Sequence, residues 1–177
     1  MKLIPPNKEN LVRIKKLYRA AFPRIERKPV RLILRQCEKG EAELFAIASN
    51  EGVFLGLAVT VKHSDIVMLD YFAIHPKVRG KGVGTRALQM LKSKYADRRF
   101  ILEIESVDEP CKNLEVRKKR REFYLRNGMK PTGYTAQVFF TVLEVLTAGE
   151  QVSFEEYREL YRSHLGDKAV KKIRLKQ

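Results

Sequence analysis

Along the first forty residues the apolar positions recur three and four apart. Leu11, Ile14, Leu17, Tyr18 and Ala21 fall on one face of a helix that Asn7 or Asn10 can cap and that runs to about Phe22. A short strand candidate, KLI, precedes it. FPRIERKP (22–29) follows as a connection punctuated by Pro23 and Pro29. A second helix is predicted from Val30 to Glu38, stopping at Gly40.

The period then changes. ELFAIAS, GVFLGLAVTV and IVMLDYFAI are apolar, β-branched or aromatic runs separated by SNEG and KHSD, whose Asn, Ser, Asp and Gly are turn formers. Three antiparallel strands in a meander are predicted. A helix over about 83–96 carries Ala87, Leu88, Leu91 and Tyr95 on one side, and FILEIE (100–105) is a strand. Residues 112–127 read as a helix ended by Gly128, with two strands after it over 130–134 and 137–146. Ser153 and Glu156 form a capping box for a last helix with Phe154, Tyr157, Leu160 and Tyr161 on its apolar side. This order predicts an α/β (α+β) fold, a mixed and largely antiparallel sheet with helices on both faces. Residues 1–145 are expected to form one domain. Residues 146–177 would add a helix and a basic tail packed on, or extending from, that domain.

Composition narrows the class. With 177 residues, 44% hydrophobic and 32% charged, the chain reads as a globular protein. The longest apolar run, VFLGLAVTV, has nine residues, about half of what a membrane helix needs, so no membrane partner is expected. MKLIPPNKEN lacks a hydrophobic signal segment, so a cytoplasmic location is expected. Cys37 and Cys111 form no metal pattern and no disulfide framework. Lys and Arg number 36 against 21 Asp and Glu, a formal charge of +15, which favours polyanions: nucleic acid, a ribosome, or a multiply phosphorylated cofactor. RKKRR (117–121) and KAVKKIRLK (168–176) hold much of the excess, and both also read as solvated basic surface.

The sharpest motif is RGKGVG (79–84), directly before a helix. Alternating glycines let a backbone approach a ligand, and a helix start adds unpaired N–H groups and a positive dipole end. That is an anion site. A Walker A loop would need G-x-x-x-x-G-K-[ST], which is absent. A dinucleotide fingerprint fits loosely as Gly82, Gly84 and Ala87 with Glu103 downstream, but HPKVR intervenes between strand and glycines. A plain glycine-rich turn is the bland alternative.

A fourth reading comes from resemblance. Arg79, Gly82 and Gly84 match the [QR]-x-x-G-x-[GA] pyrophosphate loop of the GNAT acyltransferases; LDYFAIHP resembles the strand that leads into it, and FYLRNGMKPTGY a later element. The resemblance implies a coenzyme A or acetyl-CoA cofactor held by the backbone from Gly80 through Lys81, Gly82, Val83 and Gly84 to Thr85, with Arg79 and Lys81 as charge support. It implies main-chain pairing of Phe72 and Ile74 with pantetheine, and Phe72 N–H as polariser of the carbonyl. It also implies Tyr124, four residues before Gly128, as proton donor to the leaving thiolate. The asparagine and alanine common seven and four residues before that tyrosine are Arg117 and Arg120 here. Glu103 and Glu105 alternate with Leu102 and Ile104, so they share a strand face and are candidates for the base; solvated positions or salt bridges to the Arg-rich helix are the alternative. Glu26 is a further candidate on the acceptor side. The implied reaction is direct transfer of an acetyl group to a primary amine, small or on a peptide or protein, by a monomer or homodimer. The competing expectation is a nucleic-acid or ribosome-binding module on an inactive acyltransferase fold.

Overall fold

A computed structural model describes residues 1–176. The chain forms two compact units, one from Met1–Val61 and Leu69–Lys94, the other from Lys62–Met68 and the chain from Tyr95 onward. Eight strands and six helices are present among the described residues, a mixed α/β fold.

The first unit holds β1 (Lys2–Ile4), α1 (Lys8–Ala21), α2 (Val30–Glu38), β2 (Ala42–Ala48), most of β3 (Phe54–His63) and β4 (Ile66–Ile74), and α3 (Val83–Lys94). Its strands lie in the order β1-β2-β3-β4. Asn7 is the cap of α1: its Oδ1 accepts from Asn10 N at 2.8 Å while Asn10 Oδ1 accepts from Asn7 N at 2.7 Å, so two otherwise orphaned donors are satisfied reciprocally. The apolar face of α1, Ile14, Leu17 and Tyr18, joins Ile33 of α2 against Leu44, Ala46, Leu57, Val59, Tyr71 and Ala73. Alternation puts Glu43 and Phe45 on the other face, where Lys94 of α3 meets Glu43 at 3.2 Å and lies 5.5 Å from the Phe45 ring centre. Helices therefore cover both faces of this unit. β3 and β4 approach so closely at Gly56 that a Cβ there would stand 2.4 Å from Ala73 O.

The second unit holds β5 (Arg99–Glu105), α4 (Leu114–Arg126), β6 (Lys130–Val138), β7 (Thr141–Thr147), α5 (Phe154–Leu165), the single turn α6 (Asp167–Val170) and β8 (Ile173–Lys176). The strand order is β5-β7-β6-β8, every pairing antiparallel. Tyr124 is the one fully buried residue of α4, so ion pairs fix this helix: Arg117 and Arg120 to Glu105, Arg121 to Glu144. The capping box of α5 forms as expected, Ser153 N donating to Glu156 Oε2 at 2.9 Å.

Two boundaries differ from expectation. β6 continues through Tyr134 to Val138, and the chain reverses at Phe139 (φ 54°) and Phe140. Gly133 (φ 88°) marks a register shift between Pro131 and Thr135, a bulge within the strand. The basic tail is a strand: Ile173 is buried and residues 173–176 pair with Val138 back to Thr135. No helix among the described residues is long and apolar enough to cross a membrane.

Candidate functional site

In the first unit, β4 ends at Ile74 and His75 N donates to Leu55 O at 2.8 Å, pinning the strand end to β3. A 3-10 turn, Pro76–Val78, separates the strand from the glycines. A dinucleotide loop would lack this spacer. Arg79 Nε then donates to Ile74 O at 3.0 Å, so its guanidinium folds back over the strand end. Gly80 (φ 74°) and Gly82 (φ 73°) are left-handed, with nothing within 4 Å of a Cβ at either; glycine is required there by conformation, not by space.

Arg86 N donates to Gly82 O at 3.1 Å, which closes the first helical bond and leaves the amides of Val83, Gly84 and Thr85 without intrahelical partners. Lys81 and Thr85 are exposed, Gly84 is half-buried, and Val83 packs inward. This open, cation-flanked helix start fits a pyrophosphate, the anionic part of coenzyme A. Phe72 and Ile74 are half-buried, whereas their neighbours Tyr71 and Ala73 are buried with α1 and α2.

The connection that carries Glu26 is anchored by groups the sequence did not single out. Tyr71 Oη donates to Glu26 O at 2.7 Å and accepts from Lys28 N at 3.1 Å. Tyr18 Oη donates to Lys28 O at 3.1 Å, and Lys28 Nζ meets Asp70 Oδ2 at 2.7 Å. Burial, then the Asp70 charge, pushes the Tyr71 phenol well up, so it stays a neutral bridge. The signal was available: a tyrosine in a core position needs a partner for its hydroxyl.

In the second unit, Tyr124 sits on α4 with its ring buried. Its hydroxyl makes no hydrogen bond among the described residues. Burial pushes the phenol up to about 12, opposed by the Arg120 charge. Left-handed Gly128 (φ 81°) ends this helix, with Met129 N donating back to Tyr124 O at 3.1 Å.

Glu103 and Glu105 do share a face, but they meet different partners. Both Glu105 oxygens are held by guanidinium groups, Arg117 Nη2 at 2.7 Å and Arg120 Nη1 at 3.1 Å. The two departures from the family pattern thus hold this carboxylate. Glu103 accepts from Tyr157 Oη at 2.6 Å and from Tyr161 Oη at 2.7 and 2.8 Å. Both phenols come from α5, where the sequence showed only an apolar face. Among the described residues no cluster of His, Cys, Asp and Glu could hold a metal ion.

Comparison with known proteins agrees with this geometry. A model of the acetyltransferase (GNAT) family matches residues 11–128. A search of curated proteins finds no match. Among solved structures, the chain is similar to a protein assigned to the GNAT acetyltransferases from Bacteroides thetaiotaomicron: TM-score 0.76 and 19% identity, over 94% of this chain and 99% of that one. It is also similar to the spermidine N-acetyltransferase of Vibrio cholerae in complex with CoA and spermine, at TM-score 0.66 and 13% identity over 82% and 93% of the two chains. An aminoglycoside 6'-N-acetyltransferase complexed with coenzyme A aligns with TM-score 0.64 and 15% identity over 86% and 100%. These identities speak to the fold; the family match covers the glycine loop, β5 and Tyr124 as well. The chain belongs to the GNAT acetyltransferase family, enzymes that draw an acyl group from a coenzyme A thioester.

Proposed function

We propose that the protein transfers an acetyl group from acetyl-CoA to a primary amine by direct attack, with the residues of β4, the glycine loop, α4 and β5 in defined roles. The observation that carries this is the glycine loop. It joins two left-handed glycines and three unpaired amides at a helix start to the end of β4.

The amides of Val83, Gly84 and Thr85 hold the pyrophosphate, and Lys81 and the free side of Arg79 add charge. Phe72 and Ile74 offer main chain to pantetheine, and the Phe72 N–H polarises the carbonyl. When bound, the cofactor supplies an activated acyl group. The amine gives up a proton as the N–C bond forms, and the departing sulfur gains hydrogen-bond or proton support as the C–S bond breaks.

Of the two carboxylates expected as base, Glu103 is the better candidate, since the Tyr157 and Tyr161 hydroxyls donate to it, while two guanidinium groups hold Glu105 to α4. Tyr124 is the donor to sulfur, a role supported by its uncommitted hydroxyl. Glu26 stands on the acceptor side, on the connection anchored by Tyr71.

Thermal unfolding with coenzyme A, acetyl-CoA, NADH and ATP, one at a time, tests the reading. At 100 times its dissociation constant a ligand adds about 2.7 kcal/mol to stability. Stabilisation by coenzyme A and acetyl-CoA but not by NADH or ATP is the expected result. Stabilisation by NADH, or by nothing, overturns it.

A nucleic-acid or ribosome partner rests on the +15 charge alone. The large exposed aromatics among the described residues, Phe139 and Phe140, belong to the second unit, whose charge balance is only +4, so stacking and charge are not interleaved there. The acyltransferase reading is favoured.

A further inference from the structure

The positive charge is unevenly divided. The first unit has 18 Lys and Arg against 7 Asp and Glu, a balance of +11, whereas the second has 18 against 14, a balance of +4. Within the first unit the excess concentrates between residues 8 and 35, with ten basic residues and only Glu9 and Glu26 acidic. Arg13 pairs with Glu9 and Lys28 with Asp70. Lys15, Lys16 and Arg19, on the side of α1 turned away from its core, and Arg24 and Arg27, on the connection, form no ion pair among the described residues.

These cations form one surface. Arg27 Nη1 reaches Arg19 O at 3.5 Å, tying the connection to the last turn of α1. Val12, Lys15, Lys16, Arg19 and Ala20 lie together on the outer side of the helix. Two large apolar side chains stand exposed among the cations, Val12 at 67% and Ile25 at 85%. The connection is fixed to β4 through Tyr71, one residue from Phe72, the position assigned to polarising the thioester carbonyl.

From this we infer that the acceptor amine is carried on an acidic peptide segment, whose carboxylates lie along the Lys15–Lys16–Arg19 face and the Arg24–Arg27 connection. The inference rests on the acyltransferase reading and names its substrate class. A polyamine, cationic along its length, is repelled by a unit with a balance of +11. A nucleic acid satisfies the charge but not the chemistry. It offers no aliphatic amine, and its bases find no exposed aromatic here, since the large exposed hydrophobics of this unit are Val12, Ile25 and Val53. An acidic peptide supplies the nucleophilic amine, the complementary charge and apolar side chains to rest on Val12 and Ile25.

The test uses the full chain at saturating acetyl-CoA. Acetyl transfer is measured to two peptides of equal length with a single amine, flanked by Asp and Glu in one and by Arg in the other, and to spermidine, from 20 to 300 mM salt. The acidic peptide is expected to show a kcat/KM about tenfold or more above the others, falling as salt rises. The double variant Lys16→Glu, Arg19→Glu should lose most of that preference and keep an unaltered melting shift with coenzyme A. Preference for spermidine or the basic peptide overturns the inference. So does a rate that rises with salt, or RNA that binds in a salt-dependent way while no peptide is preferred. Failure of coenzyme A to shift the melting point condemns the acyltransferase reading itself, so the two failures are separable.

Discussion

Replacing Tyr124 by Phe removes one oxygen atom and isolates its role. The ring fills the same buried volume, and the hydroxyl makes no hydrogen bond among the described residues, so stability should change by no more than about 0.5 kcal/mol. Catalysis is another matter. A thiol has an ordinary pKa of ~8.5, and burial holds this phenol at about 12. Complete proton transfer to the leaving sulfur is therefore uphill by ~3.5 units, or ~5 kcal/mol at 1.36 kcal/mol each. In the proposed role the phenol would act chiefly by donating a hydrogen bond to developing negative charge. Such a bond contributes about 1.5–3 kcal/mol, which predicts a kcat loss of about 10- to 150-fold in Tyr124→Phe, with little change in the KM for acetyl-CoA. The wild-type rate should also show no limb from this group below ~pH 11, since the phenol stays protonated. Steady-state kinetics across pH, with melting curves of both proteins, decides it. An undiminished kcat refutes the assignment, and a loss near 10⁴-fold refutes the hydrogen-bond account in favour of full transfer.

Gly82→Ala places a Cβ on a residue with φ 73°, a strain of about 1–2 kcal/mol, and should shrink the melting shift produced by coenzyme A; an unchanged shift would show that the loop conformation is not what holds the pyrophosphate. Acid stability should depend on Glu156. Arg99, then the Ser153 amide and hydroxyl, hold its carboxyl down to about 2 from an ordinary 4.5, so the stability it lends is complete above about pH 4.5 and fades as pH falls toward 2. Glu156→Gln should give a flatter loss of stability across that window in urea titrations, and an unaltered slope would deny the pair any part in acid unfolding.

Local chemistry was readable in the sequence wherever a residue type has one structural use. The Asn7 and Ser153 caps, the meander and the positive-φ glycines of the loop all formed where their side chains or conformational freedom required. The β6–β7 turn was not readable, because Phe139 is no turn former, and the break expected between residues 134 and 137 is only a register shift in β6 beside Gly133. β8 carried a signal that charge obscured: Ile173 and Leu175 alternate with Arg174 and Lys176, the period of a strand. Alternation placed Glu103 and Glu105 on one face, as it must. It held no information on which helix would arrive opposite each. Arginines of α4 reached Glu105, and tyrosines of α5, from beyond the family-matched segment, reached Glu103.

In the proposed reaction, one short segment, strand β4, would serve both ends. In DYFAI, Tyr71 and Ala73 point into the core with α1 and α2, which leaves Phe72 and Ile74 on the other side. Tyr71 carries its hydroxyl through that core to the connection and fixes Glu26 and Lys28 by their backbones, while Asp70 neutralises Lys28. Backbone anchoring leaves the side chains of Arg24 and Ile25 exposed and available for recognition. Their identity can vary without disturbing the strand, and the strand can present its main chain to pantetheine whatever the connection displays. In the proposed reaction, acceptor choice and thioester activation would be borne by adjacent residues through different groups, side chains on the connection and main chain on the strand. In such an arrangement a shared acyl-transfer fold can serve amines of opposite charge, and the balance of +11 over the first unit is the basis on which we propose acidic acceptors for this chain.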